Sequence, residues 1–121
     1  MEDALYREII LEHWQNPQNY GVVEGADFDV AGSNPLCGDS IRLTGIVRAG
    51  VLIEVAFTGE GCAISRASAS LFTEKVKGMN LVEVQGMAAD EVLNELGVIL
   101  TPARTKCALL VYEVMQGKVA L

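Results

Sequence analysis

Three cysteines and one aspartate are the residues in this chain whose types best suit metal binding or sulfur transfer. Two of them, Cys37 and Asp39, lie two positions apart in the segment NPLCGDS at 34–40. Pro35 and Gly38 predict a turn there, although free cysteines are usually buried. An odd number of cysteines cannot pair completely within one chain, and the cytosol keeps thiols reduced, so the sequence favours metal binding or thiol chemistry over disulfides.

The other two cysteines fall where helices are predicted to begin. Cys62 follows the glycines of GEGC and precedes a predicted helix over 63–76, and Cys107 lies in the first turns of a last helix, beside Arg104 and Lys106. Unpaired N–H groups at a helix N-terminus and neighbouring basic side chains favour the thiolate, which is the form that binds metals and attacks sulfur.

Three thiolates and the Asp39 carboxylate would supply four ligands, as a tetrahedral zinc ion or an iron–sulfur cluster requires. No two cysteines have the C-x-x-C spacing, so position supports this interpretation better than spacing does. The alternative is that the cysteines fill the core, that Asp39 caps a turn and that Arg104 is an ordinary surface arginine. His13, beside Trp14 at a helix edge, is interpreted as a packed or surface histidine and not as a ligand.

The elements that must position these residues follow an α+β pattern. The sequence predicts an N-terminal helix over 3–15, then a small antiparallel sheet with strands at 40–47 and 51–57 and an earlier third strand near 28–31. In the strand at 51–57 the apolar residues that alternate are predicted to share one side: Val51, Ile53, Val55 and Phe57.

Several helices are predicted to follow the sheet. The segment AISRASAS within 63–76 is small and polar, so neighbouring backbone should approach it closely. Asp90 is predicted to cap a short helix that Gly97 ends, and Thr101-Pro102 to open a buried last helix that runs to about residue 116.

Length and composition set the broad class. A chain of 121 residues with half its residues apolar fits one globular domain over 1–121. The net charge of −7 disfavours nucleic-acid binding, and no apolar run approaches the roughly 20 residues of a membrane span. The start MEDALYREIILEH lacks a basic leader, so the expected compartment is the cytoplasm.

Several motifs occur in order along the chain: H-x-x-NP-x-N in HWQNPQN, NP-x-CGD at 34–39, G-x-GC-x-I-x-x-AS-x-S across 59–70, TE-x-x-KG at 73–78, and a final cysteine before an apolar helix. Together they resemble the U-type iron–sulfur scaffold family, which includes IscU, SufU and the N-terminal domain of NifU. The resemblance covers nearly the whole chain.

The resemblance implies an α+β fold in which Cys37, Asp39, Cys62 and Cys107 gather at one exposed end. There they would hold zinc or a nascent [2Fe–2S] cluster. A cysteine desulfurase would deliver persulfide sulfur, and recipient iron–sulfur proteins would take the cluster. Cys37 is the expected sulfur acceptor because its loop is flanked by glycine, and Cys107 is the alternative.

Two branches of the family imply two functions. The segment TPARTKC has Lys106 where the IscU branch has histidine, and this favours the SufU branch, a zinc-dependent sulfurtransferase that stimulates its desulfurase. SufU-like proteins carry an insertion between the second and third cysteines, however, and the 45 positions from Cys62 to Cys107 favour the IscU branch, a scaffold without turnover of its own. Both functions stay open from the sequence.

Overall fold

A computed structural model describes residues 2–35 and 38–118, with side chains described over 7–35 and 38–117. The predicted turn at Cys37 therefore lies outside the described residues. The elements, in chain order, are α1 (Glu2–Gln15), β1 (Phe28–Asn34), β2 (Asp39–Arg48), β3 (Val51–Glu60), α2 (Ala63–Val76), α3 (Leu81–Gln85), α4 (Ala89–Leu96) and α5 (Pro102–Lys118). This order confirms the predicted α+β class. No described helix combines the length and apolar character that crossing a bilayer requires.

The three strands form one antiparallel sheet in the order β1-β2-β3. Asn34 at the end of β1 pairs with Asp39 at the start of β2, and Ser40 pairs with Glu60 at the end of β3. Asp39 and the start of α2, which follows β3 directly, therefore lie at the same end of the sheet.

A β-bulge corrects one prediction about β3. Ile46 pairs with Glu54 but Val47 pairs with Leu52, so Ile53 is an extra residue in the ladder. One extra residue reverses which side chains face inward. Leu52 is consequently fully buried and Ile53 is 42 % exposed, so the predicted shared face of Ile53 with Val55 and Phe57 is wrong.

Helices α2 and α5 pack on the inner face of the sheet and close the core. The fully buried side chains include Leu43 and Phe57 from the sheet, Phe72 from α2 and Met115 from α5. The small residues of α2 allow the two helices to approach closely, as predicted, and the Ser68 hydroxyl donates a 2.6 Å hydrogen bond to the Ala108 carbonyl. This packing sets the start of α2 beside the first turns of α5.

The segment that follows α1 is fixed to α2 by hydrogen bonds. The buried Ser70 hydroxyl accepts the Gln18 N–H at 2.7 Å and lies 2.7 Å from His13 Nδ1. The Asn19 amide donates to the Thr73 hydroxyl at 3.3 Å. His13 is therefore a packed histidine in the HWQNPQN segment, in agreement with the sequence interpretation.

The cap of α4 differs from the prediction. Ala88, not Asp90, is the N-cap residue, and Asp90 lies in the first turn. The Glu91 carboxylate accepts the Ala88 N–H at 3.2 Å, which is the bond that the N3 side chain contributes to a capping box. Gly97 ends the helix with φ +67°, as predicted.

Two aspartates on the solvent side of the sheet have a lowered pKa, and each forms an ion pair with an arginine. Arg42 donates to both carboxylate oxygens of Asp29, and these bonds hold the pKa of Asp29 below its usual value. The Val47 N–H and the Arg48 guanidinium both donate to Asp27 Oδ2. They hold the pKa of Asp27 below its usual value, and the Val47 N–H is the larger cause.

Candidate metal centre

Three of the four predicted ligands converge at one point. Asp39, Cys62 and Cys107 each offer one ligand atom, and these atoms all lie within 4.8 Å of one another. Along the chain they are far apart, so the fold alone brings them together. Cys37 lies outside the described residues, and its place relative to the other three stays a prediction.

Asp39 and Cys62 interact directly through both carboxylate oxygens. The Cys62 N–H donates to Asp39 Oδ1 at 3.1 Å, and the Cys62 thiol donates to Asp39 Oδ2 at 3.7 Å. Cys62 is the N-cap residue of α2 and makes no side-chain capping bond, so its sulfur is directed to the carboxylate and not to the helix backbone. One carboxylate oxygen thus holds the start of α2 while the other faces the sulfur.

Gly61 makes this approach possible, a role that was not predicted from the sequence. A Cβ atom at Gly61 would lie 2.7 Å from Asp39 Oδ1, closer than real Cβ atoms come to other heavy atoms. Only glycine therefore lets the carboxylate reach the amide of the next residue. The contact joins residues far apart in the chain, so no local sequence pattern signals it.

Cys107 completes the described part of the cluster from α5. Asp39 is 2 % exposed and Cys107 is 3 % exposed, and only Cys62 is half-buried. The resemblance implied that these residues gather at one exposed end, but the side chains of Asp39 and Cys107 are themselves buried. Asp39 lies on the inner face of β2, and Cys107 lies on the buried face of α5. All three line a cavity of about 390 Å³, whose wall also includes Arg104.

The start of α5 holds Arg104 at this cavity. The Arg104 N–H donates to the Thr101 hydroxyl at 3.3 Å, which confirms Thr101 as a capping residue of α5. The Arg104 side chain is exposed and lines the cavity with the ligand cluster.

Arg66 and Tyr20, which the sequence analysis did not single out, support the first turns of α2. The Arg66 guanidinium lies 4.7 Å from the centre of the Tyr20 ring, and Tyr20 meets Phe57 edge to face at 5.3 Å. Arg66 is one turn beyond Cys62, so this stack fixes the helix end that carries the thiol. In the sequence, the one feature that could have pointed to Arg66 is that it is the only arginine within the small-residue run AISRASAS.

The donor set fits a thiophilic metal. Zinc–sulfur distances of about 2.3 Å and zinc–oxygen distances of about 2.1 Å place sulfur and oxygen ligands roughly 3.6 Å apart on a tetrahedron. The Cys62 sulfur and Asp39 Oδ2 are 3.7 Å apart, close to that separation. Thiolates also suit the irons of an iron–sulfur cluster.

Comparisons with known proteins show which proteins the chain is similar to. The model of the NifU-like N-terminal domain family matches residues 5–120. The chain is 36 % identical to the zinc-dependent sulfurtransferase SufU of Bacillus subtilis, over 98 % of this chain and 91 % of that protein. It is 32 % identical to the iron–sulfur cluster assembly scaffold protein IscU of Escherichia coli, over 95 % and 91 % of the two chains.

A solved structure shares the architecture. The crystal structure of a protein named as an iron–sulfur cluster assembly scaffold for the SUF system, from Fervidobacterium islandicum, superposes with a TM-score of 0.79 at 26 % identity, covering 90 % of this chain and 92 % of that one. The alignment with the B. subtilis SufU spans 135 positions, more than the 121 residues of this chain, so that relative contains residues absent here.

The Gly61 contact yields a testable prediction. Gly61→Ala should weaken Zn²⁺ binding about tenfold or more, because the new Cβ displaces the Asp39 carboxylate. Gly117→Ala is the matched control, since a Cβ there meets no atom within 4 Å. Competition with a chromophoric chelator measures both affinities, and equal affinity for Gly61→Ala and the unaltered protein would contradict the role given to Gly61.

Proposed function

Because the chain belongs to the family of NifU-like N-terminal domains, we propose that it acts in iron–sulfur cluster biogenesis. It accepts sulfur from a cysteine desulfurase, assembles a [2Fe–2S] cluster and passes the cluster to recipient proteins. Cys37, Asp39, Cys62 and Cys107 are the proposed ligands. The observation that carries the proposal is the convergence of the Asp39, Cys62 and Cys107 ligand atoms within 4.8 Å.

A second candidate function is that of a zinc-containing sulfurtransferase, which accepts persulfide sulfur and stimulates its desulfurase. The name and the 36 % identity of the B. subtilis relative favour it, as does Lys106 directly before Cys107. Zn²⁺ held by the same four residues would keep the thiols deprotonated and ready to react. The two functions share the ligand set and the sulfur donor.

Sulfur transfer would proceed by thiol–persulfide exchange in either function. The Cys37 thiolate attacks the outer sulfur of the persulfide on the desulfurase, a new S–S bond forms on Cys37, and the old S–S bond breaks to leave the donor cysteine as a thiolate. The outer sulfur keeps its oxidation state, so the step needs no electrons. Cys107 is the alternative acceptor.

The residues around the cavity fit this exchange. Neither Cys62 nor Cys107 forms a disulfide, which suits a reducing compartment, and we assign the function to the cytoplasm. The exposed Arg104 guanidinium provides positive charge at the cavity wall, where an anionic persulfide would enter. Cluster assembly further requires Fe²⁺ and an external electron donor that reduces each transferred sulfur to sulfide.

The carboxylate ligand suits a cluster that must leave. A carboxylate is a harder and weaker ligand for cluster iron than a fourth thiolate, so Asp39 should keep the cluster exchangeable, as delivery to a recipient requires.

The sulfur acceptor can be identified directly. After incubation with a cysteine desulfurase and cysteine, mass spectrometry of the intact protein and its peptides should show one added sulfur on Cys37. Cys37→Ser should abolish the addition, and Cys107→Ser is the matched comparison that should retain it. Addition on Cys107 alone would transfer the role to the alternative residue, and no added sulfur on any cysteine would refute both functions.

The Asp39 ligand can be tested by cluster transfer. With Fe²⁺, desulfurase, cysteine and a reductant, the unaltered protein should develop the visible absorption of a [2Fe–2S] cluster. Asp39→Ala should transfer its cluster to an apo-ferredoxin more slowly. Faster or unchanged transfer by Asp39→Ala would contradict the role of Asp39. If the unaltered protein retains zinc, takes up sulfur and forms no cluster, the sulfurtransferase function is favoured over the scaffold function.

A further inference from the structure

Arg66 is a half-buried arginine that lies four residues after Cys62 in α2. It forms no ion pair with a described side chain, although the whole chain carries a net charge of −7. Even Glu60, which borders a small cavity together with Arg66, makes no ion pair with it. Arg66 Nε is buried and has no hydrogen-bond partner among the described residues. Buried polar groups are nearly always paired, so this arginine requires an explanation.

The same small cavity shows that Arg66 lies close to the contact between Asp39 and Cys62. The cavity has a volume of about 10 Å³, and its wall includes Ser40, Gly61 and Arg66. Ser40 directly follows Asp39 in β2, and Gly61 directly precedes Cys62. Side chains on a helix point toward its N-terminus, which brings the arginine toward the start of α2. Arg66 is therefore a neighbour of two proposed ligands without being a ligand itself.

Tyr20 holds the guanidinium in place. The guanidinium carbon lies 4.7 Å from the centre of the Tyr20 ring, and this ring meets Phe57 edge to face. The Phe57 N–H donates to the Asn19 carbonyl at 2.9 Å, and the Gly21 N–H donates to the Phe57 carbonyl at 2.8 Å. Tyr20 is thus tied to β3 on both sides. An aromatic face attracts a cation but does not neutralise it, so Arg66 is fixed and keeps its full positive charge.

A loaded metal centre would carry excess negative charge next to this arginine. Three thiolates and one carboxylate bring more negative charge than the dication Zn²⁺, or the equally charged core of an oxidised [2Fe–2S] cluster, can neutralise. The first turn of α2 contains no acidic residue. Acidic side chains ordinarily favour the positive end of a helix. The start of α2 and Arg66 therefore both suit an anionic group at the position of the ligand cluster.

We propose that Arg66 stabilises the loaded metal centre by its charge and that Tyr20 holds it in place for this purpose. The inference rests on the proposed function, because only a loaded centre carries the negative charge that Arg66 offsets. Arg104 is exposed in the wall of the metal cavity, whereas Arg66 is half-buried and does not line that cavity. Arg66 thus acts on the centre electrostatically, and salt screens its charge less than that of an exposed side chain.

The test is the affinity for Zn²⁺, measured by competition with a chromophoric chelator at about 50 and about 500 mM NaCl. Arg66→Met keeps an unbranched side chain on the Tyr20 ring but removes the charge, and should weaken Zn²⁺ binding about fivefold or more at low salt. Arg66→Lys keeps the charge and should restore the affinity to within about twofold of the unaltered protein. The loss caused by Arg66→Met should be smaller at high salt.

Arg48→Met is the matched control for net charge. It removes one positive charge at the end of β2 opposite to Asp39, and should change the Zn²⁺ affinity less than about twofold. Two further variants test the aromatic support. Tyr20→Phe keeps the ring and should match the unaltered protein, whereas Tyr20→Leu should weaken Zn²⁺ binding by less than Arg66→Met does, because the charge remains but is no longer held.

The outcomes separate a role of charge from a role of packing. Equal Zn²⁺ affinity of Arg66→Met and the unaltered protein would overturn the proposal. An affinity of Arg66→Lys as low as that of Arg66→Met would also overturn it, and would leave Arg66 a packing residue. If circular dichroism shows that Arg66→Met does not fold, Arg66→Gln takes its place as the neutral variant, with the same expected loss.

The proposed function is tested separately by sulfur uptake of the unaltered protein. Uptake of sulfur together with unchanged Zn²⁺ binding by the neutral Arg66 variant would overturn the role of Arg66 alone. An unaltered protein that binds no Zn²⁺ and takes up no sulfur would overturn the proposed function and the role of Arg66 with it.

Discussion

The hydrogen bond from the Cys62 N–H to the Asp39 carboxylate is the contact on which the candidate metal centre depends. It joins the first residue of β2 to the N-cap of α2, 23 positions later in the chain. Because Oδ1 is committed to the backbone amide, Oδ2 is the oxygen that faces the Cys62 sulfur. The contact requires that residue 61 has no Cβ. It also requires the antiparallel register that places Asp39 at the end of the sheet, and the pairing of β2 with both neighbouring strands sets that register.

The position of Cys107, the third candidate ligand, depends on helix packing. Small side chains along α2 let α5 approach closely enough for the Ser68 hydroxyl to reach the Ala108 carbonyl, one residue beyond Cys107. A metal bound at this point would tie β2, α2 and α5 together, and binding to the folded chain alone would stabilise it by mass action. The buried positions of Asp39 and Cys107 mean that the fold determines their separation, whereas Cys62 is partly accessible from the cavity.

The sequence predicted the elements well where the signal is local. The helices at 63–76 and after Thr101, the hairpin and the ending of α4 at Gly97 follow from caps, glycines and apolar periodicity. The bulge at Ile53 was missed because apolar alternation continues through it, and only the pairing partner reveals the extra residue. The Gly61 and Tyr20–Arg66 contacts were missed for the same reason, since each joins residues distant in sequence. The sequence singled out Asp39, Cys62 and Cys107 as candidate ligands, but only the three-dimensional packing brings their ligand atoms together.

X-ray absorption spectroscopy of the protein loaded with one equivalent of Zn²⁺ tests the central claim most directly, because it counts the ligand atoms around the metal. We expect three sulfur atoms at about 2.3 Å and one oxygen at about 2.0–2.2 Å. Cys107→Ala should reduce the sulfur count to two, since Cys107 lies within 4.8 Å of the other two described ligand atoms. A shell of nitrogen and oxygen alone, or a sulfur count that Cys107→Ala leaves unchanged, would contradict the account.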